Sequence, residues 1–165
     1  MNPAPSTLKI LISPDSFKGT LSALAAARAI ESGIKQVLPD AITHCLPLAD
    51  GGEGTLDVLL FAAQGERKTA RVTDANGNLL DANYGLLTDA QGTIAVLEAA
   101  QVVGLSQARI NVAERTTRGL GELLRQCLDQ GVRRFLIGVG GSSTNDGGAG
   151  LLLQSFLRLQ KIDPG

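Results

Sequence analysis

The sequence predicts an α/β fold, a parallel sheet covered by helices with part of a second α/β unit behind it. Three observations carry that expectation. Strand-length apolar runs alternate with segments of helical period up to about residue 63. A strand-like run at 132–139 passes through a glycine-rich loop into an apolar, helix-length segment. And 44% of the residues are apolar while only 3% are aromatic, which suits a tightly layered interior of Ala, Leu, Val and Ile.

Taken in order, residues 1–7 read as a loose tail, and Leu8–Ser13 as a strand apolar enough to be buried on both faces. Pro14–Gly19 forms a turn, after which Ser22 or Thr20 caps a helix reaching about Val37. Ala23, Leu24, Ala27, Ile30 and Ile34 recur at helical spacing, and Pro39-Asp40 ends the run. Ala41–Leu48 is a second strand; Ala49–Thr55 is a glycine-rich turn opening a helix through about Ala63. After Gly65 the rhythm changes to consecutive strands. Residues 68–73 and 79–87 flank Asn76-Gly77 as a β-hairpin, and Thr93–Glu98 follows. The change places a domain boundary near residue 65, giving units 1–65 and 66–165. Residues 99–112 fit neither period. Thr116 or Thr117 caps a helix through about Gln130, and the 132–139 strand leads to the loop.

Composition narrows the function classes. A length of 165 residues suits one domain, or one and a fraction. With 16 acidic and 15 basic residues, evenly spread, there is no field for nucleic acid or a membrane surface, and the scarcity of aromatics removes a base-stacking platform. Cys45 and Cys127 read as reduced, buried small hydrophobes. No apolar run is of membrane-spanning length and no signal segment precedes Pro3 and Pro5, so a soluble cytoplasmic protein is expected.

The chemistry concentrates at three strand ends. Gly138–Gly150 packs six glycines and Ser142, Ser143, Thr144, Asn145 and Asp146 into thirteen positions. Glycines let backbone N–H groups approach an anion, and a helix N-terminus behind them adds its dipole. Short loops of this composition are more often plain turns and caps, but the density here favours a phosphate or carboxylate seat. It is not a Walker A loop, since no Lys follows, and a dinucleotide fingerprint starting at Gly138 meets Ser143 where Gly is needed. The other clusters are Asp15, Ser16 and Lys18 after the first strand, and Asp50, Gly51, Gly52 and Glu53 after the second. Ligands bind outside the carboxyl ends of parallel strands, so these loops can share a cleft. Carboxylates for Mg²⁺ and one Lys for phosphate charge suit phosphoryl transfer. Asp15 as a turn cap and Glu53 as a helix-terminal acid are equally good readings of those residues taken singly. His44, the one histidine, reads as a core or rim residue, which leaves a metal triad or a Ser-His-Asp triad without support.

Four stretches, Ser13–Lys18, Leu48–Thr55, Thr117–Leu123 and Gly138–Gly150, together resemble the bacterial glycerate kinase family, the type forming 2-phosphoglycerate. The resemblance runs from residue 8 to about 152. It implies ATP and Mg²⁺, D-glycerate as phosphoryl acceptor, a cytoplasmic metabolic role, and two α/β domains, one flavodoxin-like and one inserted, with the active site between them. Carried over by position, Asp15, Lys18, Asp50 and Asp146 are the catalytic candidates, with Asp50 and Asp146 on the metal. Ser16, Gly51, Gly52, Glu53, Gly140, Gly141, Ser142, Ser143, Thr144, Asn145, Gly147 and Gly148 are the substrate and phosphate contacts. Arg118 stands where the family usually has an aromatic. From Gln154 the likeness stops, and family enzymes run more than twice this length, so a truncated or frameshifted product is expected. A non-catalytic remnant and a stand-alone flavodoxin-like module for a phosphorylated ligand are the alternatives; no oligomeric state is implied.

Overall fold

A computed structural model describes residues 7–159. The expected loose tail lies, Thr7 apart, outside the described residues, as does the stretch after Leu159. The chain divides into two compact units, Met1–Asp50 and Gly51–Gly165.

In the first unit, β1 (Lys9–Ile12) and β2 (Ile42–Cys45) pair in parallel, from Lys9 opposite Ile42 to Ile12 opposite Cys45. The crossover between them is α1 (Ala23–Val37), the βαβ arrangement the alternation predicts. Ser22 starts this helix by accepting the Ala25 N–H at 3.2 Å, and Leu38 ends it just before Pro39. Ala23, Ala26 and Ala27 bury one stripe, the i, i+3, i+4 spacing of a helix face. One expectation fails. β1 is not buried on both faces, because Leu11 is 64% and Leu8 53% exposed. Among the described residues this sheet has two strands, and α1 covers the side on which Ile12 is buried. Ile30 is likewise exposed, and Cys45 is half-buried rather than buried.

The second unit begins with α2 (Thr55–Ala63) and a mixed sheet of β3 (Glu66–Thr73), β4 (Leu79–Asp89), β5 (Gly92–Glu98) and β6 (Arg134–Gly138), in that order. The first three form an antiparallel meander, and β6 lies parallel to β5. The rhythm change read at residue 65 is therefore the passage from α2 to β3, inside this unit. The hairpin turns where Asn76-Gly77 predicts: Asp74 Oδ1 accepts the N–H groups of Asn76 and Asn78, both at 2.8 Å, and Gly77 takes φ 87°. Helices α3 (Ala100–Val103), α4 (Arg118–Asp129) and α5 (Ala149–Leu159) complete the unit.

β5 organises it. Ala95, Val96, Leu97 and Glu98 are all buried, and strand alternation sends them to opposite faces. Ala95 and Leu97 join the main core with Val72, Val102, Val103, Leu120, Leu123 and Cys127, under α3 and α4. Val96 faces the other way onto Leu56 and Leu60 of α2. Helices on both faces of a strand buried on both sides is the α/β layering the composition calls for. Residues 99–112, ambiguous in sequence, form α3 and a short 3₁₀ turn (Leu105–Gln107), with another at Val112–Glu114. Tertiary bonds hold them: Asn76 donates to the Gln107 carbonyl at 3.0 Å and accepts the Arg109 N–H at 3.0 Å.

Candidate active site

In the first unit, parallel pairing puts the carboxyl ends of β1 and β2 at the same edge, so the loops leaving them run together. The Ser13 hydroxyl donates to the Leu46 carbonyl at 2.6 Å, and the Leu48 N–H donates to the Pro14 carbonyl at 2.9 Å. Asp15 accepts the Ser16 N–H at 2.6 Å, and Phe17 bridges to Leu21 at 2.8 Å, closing the turn that carries Lys18. Asp15, Lys18 and Asp50 are exposed and Ser16 is half-buried. His44 is exposed on β2, a rim position.

In the second unit, the loop leaving the carboxyl end of β6 meets the glycine loop that opens α2. The Gly140 N–H donates to the Gly51 carbonyl at 2.9 Å. A Cβ on Gly140 would sit 2.6 Å from the Gly52 nitrogen, and one on Gly138 2.6 Å from the Gly51 oxygen, so the loops touch because neither has side chains there. Gly51, Gly52, Gly140 and Gly141 are thus brought together; Glu53, beside them in sequence, points outward and is exposed. The far side of the 138–145 loop is pinned from below. Its Ser143 N–H donates to Val103, its Gly141 carbonyl accepts from Leu105, and its Ser143 carbonyl accepts from Arg115, all within 3.0 Å. Ser142 donates its hydroxyl to the Val139 carbonyl at 3.1 Å, while Thr144 is half-buried and Asn145 exposed. Two hydroxyls are buried with no partner among the described residues, Ser143 Oγ in the 138–145 loop and Thr55 Oγ1 on the first residue of α2. Buried polar groups are almost always paired, so an orphan in a glycine loop is where a ligand oxygen or a water belongs.

Asp146, expected on the metal, takes donors from the chain itself. Its Oδ2 accepts the Thr117 N–H and hydroxyl, each at 2.8 Å, the Gly150 N–H at 3.2 Å and the Thr116 hydroxyl at 3.4 Å; Oδ1 accepts the Gly148 N–H at 3.2 Å. Burial pushes its carboxyl pKa up, but these bonds outweigh burial and hold it below the ordinary 3.8. One carboxylate therefore serves the N-termini of both α4 and α5, and the dipole of α5 faces the chain's own anion. Thr117, at the cap position of α4, makes no cap bond of its own; Thr116 supplies one by accepting the Arg118 N–H at 3.2 Å. Gly147 and Gly148, both at positive φ, form the turn that follows Asp146. Among the described residues no three or more His, Cys, Asp or Glu gather to hold a metal ion.

Two residues escaped the sequence. Arg115 holds the Ile110 and Ser143 carbonyls together at 2.9 and 3.0 Å. Glu98, wholly buried at the end of β5, accepts the Leu56 N–H at 2.8 Å, the Gly54 N–H at 3.3 Å and the Gln101 side-chain amide at 3.3 Å. The available signals were a carboxylate closing an apolar strand and a helix, α2, that starts after Gly54 with no side chain to cap it.

The glycerate kinase family model matches residues 10–159. The chain is 46% identical over 155 residues to a glycerate kinase of Halalkalibacterium halodurans, covering 92% of this chain and 40% of that protein. It is 43% identical over 148 residues to the glycerate 2-kinase of Escherichia coli K12, covering 88% and 38%. A crystal structure described as a candidate glycerate kinase 2 of Salmonella typhimurium LT2 matches with a TM-score of 0.74 at 43% identity, over 90% of this chain and 40% of that one. The chain thus spans about 40% of the length of these relatives. With that match lying across both glycine loops and the strands that carry them, the chain belongs to the glycerate kinase family.

Proposed function

We propose that this chain carries the phosphate- and acid-handling loops of a cytoplasmic, ATP-dependent kinase that converts D-glycerate to 2-phosphoglycerate. The observation that carries this reading is the contact of the two glycine loops, Gly51 against Gly140, with the orphaned Ser143 hydroxyl buried in one of them. Phosphoryl transfer demands positioning and charge neutralisation more than covalent chemistry from the protein. The 140–145 backbone and the Ser143 and Thr144 hydroxyls are proposed to take phosphate oxygens, since N–H groups on glycines approach an anion without a Cβ between. Lys18 is proposed for phosphate or glycerate carboxylate charge, and Asp15 and Ser16 for the acid substrate. Mg²⁺, when bound, supplies neutralisation of phosphate charge, and it uses one or two carboxylates with the substrate's own phosphates rather than an all-protein cage. Asp50 is the proposed carboxylate. Asp146 is the less suited of the two, because its Oδ2 is filled by donors of the chain itself and its Oδ1 takes the Gly148 N–H.

A coupled ADP-release assay with MgATP and D-glycerate tests this, run beside Asp50→Asn. The expected result is release that requires glycerate and falls by roughly 100-fold or more in the variant, the loss typical of removing one charge-stabilising group. Release indifferent to glycerate or to the substitution contradicts the reading. Binding of MgATP without turnover would favour the phosphate-ligand module instead.

A further inference from the structure

Glu98 is the most deeply buried acid described in the chain, at 0% exposure, and the chemistry proposed above does not use it. A buried carboxylate is costly unless donors surround it, so its partners indicate what it is for. The helix α2 begins after Gly54, which sits at φ 92° and has no side chain with which to satisfy the first-turn N–H groups. Glu98 supplies that cap from another element, 42 residues away, by accepting the Leu56 N–H on Oε2 and the Gly54 N–H on Oε1. Gln101, one turn into the following segment, fixes Oε1 with its side-chain amide. The same residue is tied to the second loop through the backbone. Glu98 stands opposite Gly138 in the β5–β6 register, and the next residue, Ala99, donates its N–H to the Gly138 carbonyl at 2.8 Å. Gly138 in turn lies against Gly51, and Gly140 is bonded to it.

We infer that Glu98 is a positioning residue: its carboxylate locks the start of α2 and so fixes the Gly51–Gly54 loop against the Gly138–Gly141 loop, setting the spacing of the phosphate seat. That link to phosphate rests on the kinase reading; the locking itself does not. It also explains why two carboxylates, Glu98 at α2 and Asp146 at α5, occupy the helix N-termini behind the loops. The helix dipoles are satisfied internally, and the loop backbone is left to face a ligand.

The test is amide hydrogen exchange and proton shifts on the full chain, comparing the parent with Glu98→Gln and Gln101→Ala, each with and without MgATP. Glu98→Gln removes the charge and turns one of the two acceptor oxygens into an NH2 donor, so one of the N–H groups it now serves loses its acceptor. Exchange at Leu56, Gly54 and Gly140 is expected to rise roughly 10- to 100-fold, the loss of a charge-assisted hydrogen bond, while Val72 and Tyr84 in the β3–β4 hairpin stay protected. The Leu56 amide proton, which a 2.8 Å bond to a carboxylate should hold at low field, should move upfield, a signature that loss of packing alone would not give. MgATP affinity should fall about tenfold. Unchanged exchange at Leu56, Gly54 and Gly140 overturns the inference. Should Glu98→Gln fail to fold, Gln101→Ala decides: faster exchange at Gly54 than at Leu56 supports the role, since Gln101 shares Oε1 with Gly54, and unchanged exchange at both overturns it. A parent chain that binds no MgATP counts against the kinase reading alone, and the exchange data still decide the role of Glu98.

Discussion

Replacing Asp146 with Ala separates a clamp from a metal ligand. The substitution strands two close donors from Thr117, both at 2.8 Å, and three longer ones, from Gly148 and Gly150 at 3.2 Å and the Thr116 hydroxyl at 3.4 Å. Hydrogen bonds to a charged acceptor contribute about 1.5–3 kcal/mol each when buried. Asp146 is only half-buried, and the two glycine N–H groups can recover water, so a total of about 3 kcal/mol is expected rather than the sum. For a unit of this size that corresponds to a fall of roughly 10 °C in Tm. Asp146→Asn keeps one acceptor oxygen and should lose about half as much. The pH dependence has a definite sign. The folded pKa lies below the ordinary 3.8, so the stabilisation is fully present above that value and is lost as pH falls through the folded pKa. The gap between parent and Asp146→Ala, measured by thermal melting without metal from pH 7 down to 3, should therefore be constant until about pH 4 and shrink below it. A variant that melts within 2 °C of the parent at pH 7 would refute the clamp.

Other substitutions test neighbouring parts. Gly140→Ala places a methyl group 2.6 Å from the Gly52 nitrogen and 2.8 Å from its Cα, which must force the loops apart; a loss of about 1–3 kcal/mol in urea unfolding is expected, together with faster exchange at Gly140. The two cysteines should differ sharply. Burial pushes the Cys127 thiol up to about 11, whereas Cys45 is half-buried with its pKa raised by burial and by the Glu31 charge. A thiol reagent at pH 8 should label Cys45 first, leaving Cys127 unreacted until denaturant is added.

Much of the fold was legible because its causes are local. Ser22 caps α1, Pro39 stops it, and Asp74 with Gly77 turns the hairpin, each through partners a few residues away. The glycine loops were legible as candidate sites for the same reason: their composition is itself a local signal. Segment 99–114 was not, since side chains and carbonyls from Asn76 and Gly141 hold it, far from it in sequence. Asp146 in a glycine loop looks like a cation ligand, and nothing near it in sequence shows that Thr117, 29 residues earlier, donates to it. Glu98 looks like the polar end of a strand until α2 is seen to need a cap. The burial expected of β1 failed because an apolar run reports what a strand can bury, while the neighbours present decide what it does bury.

The central claim is that the 138–145 loop seats a phosphate, and a titration of the chain with MgATP followed through its amide resonances tests it most directly. Saturable shifts at Gly141, Ser142, Ser143 and Thr144, weakened by Ser143→Ala and reproduced in part by inorganic triphosphate, are the predicted result. Resonances that stay fixed throughout the loop at saturating MgATP, or shifts confined to other elements, would contradict it.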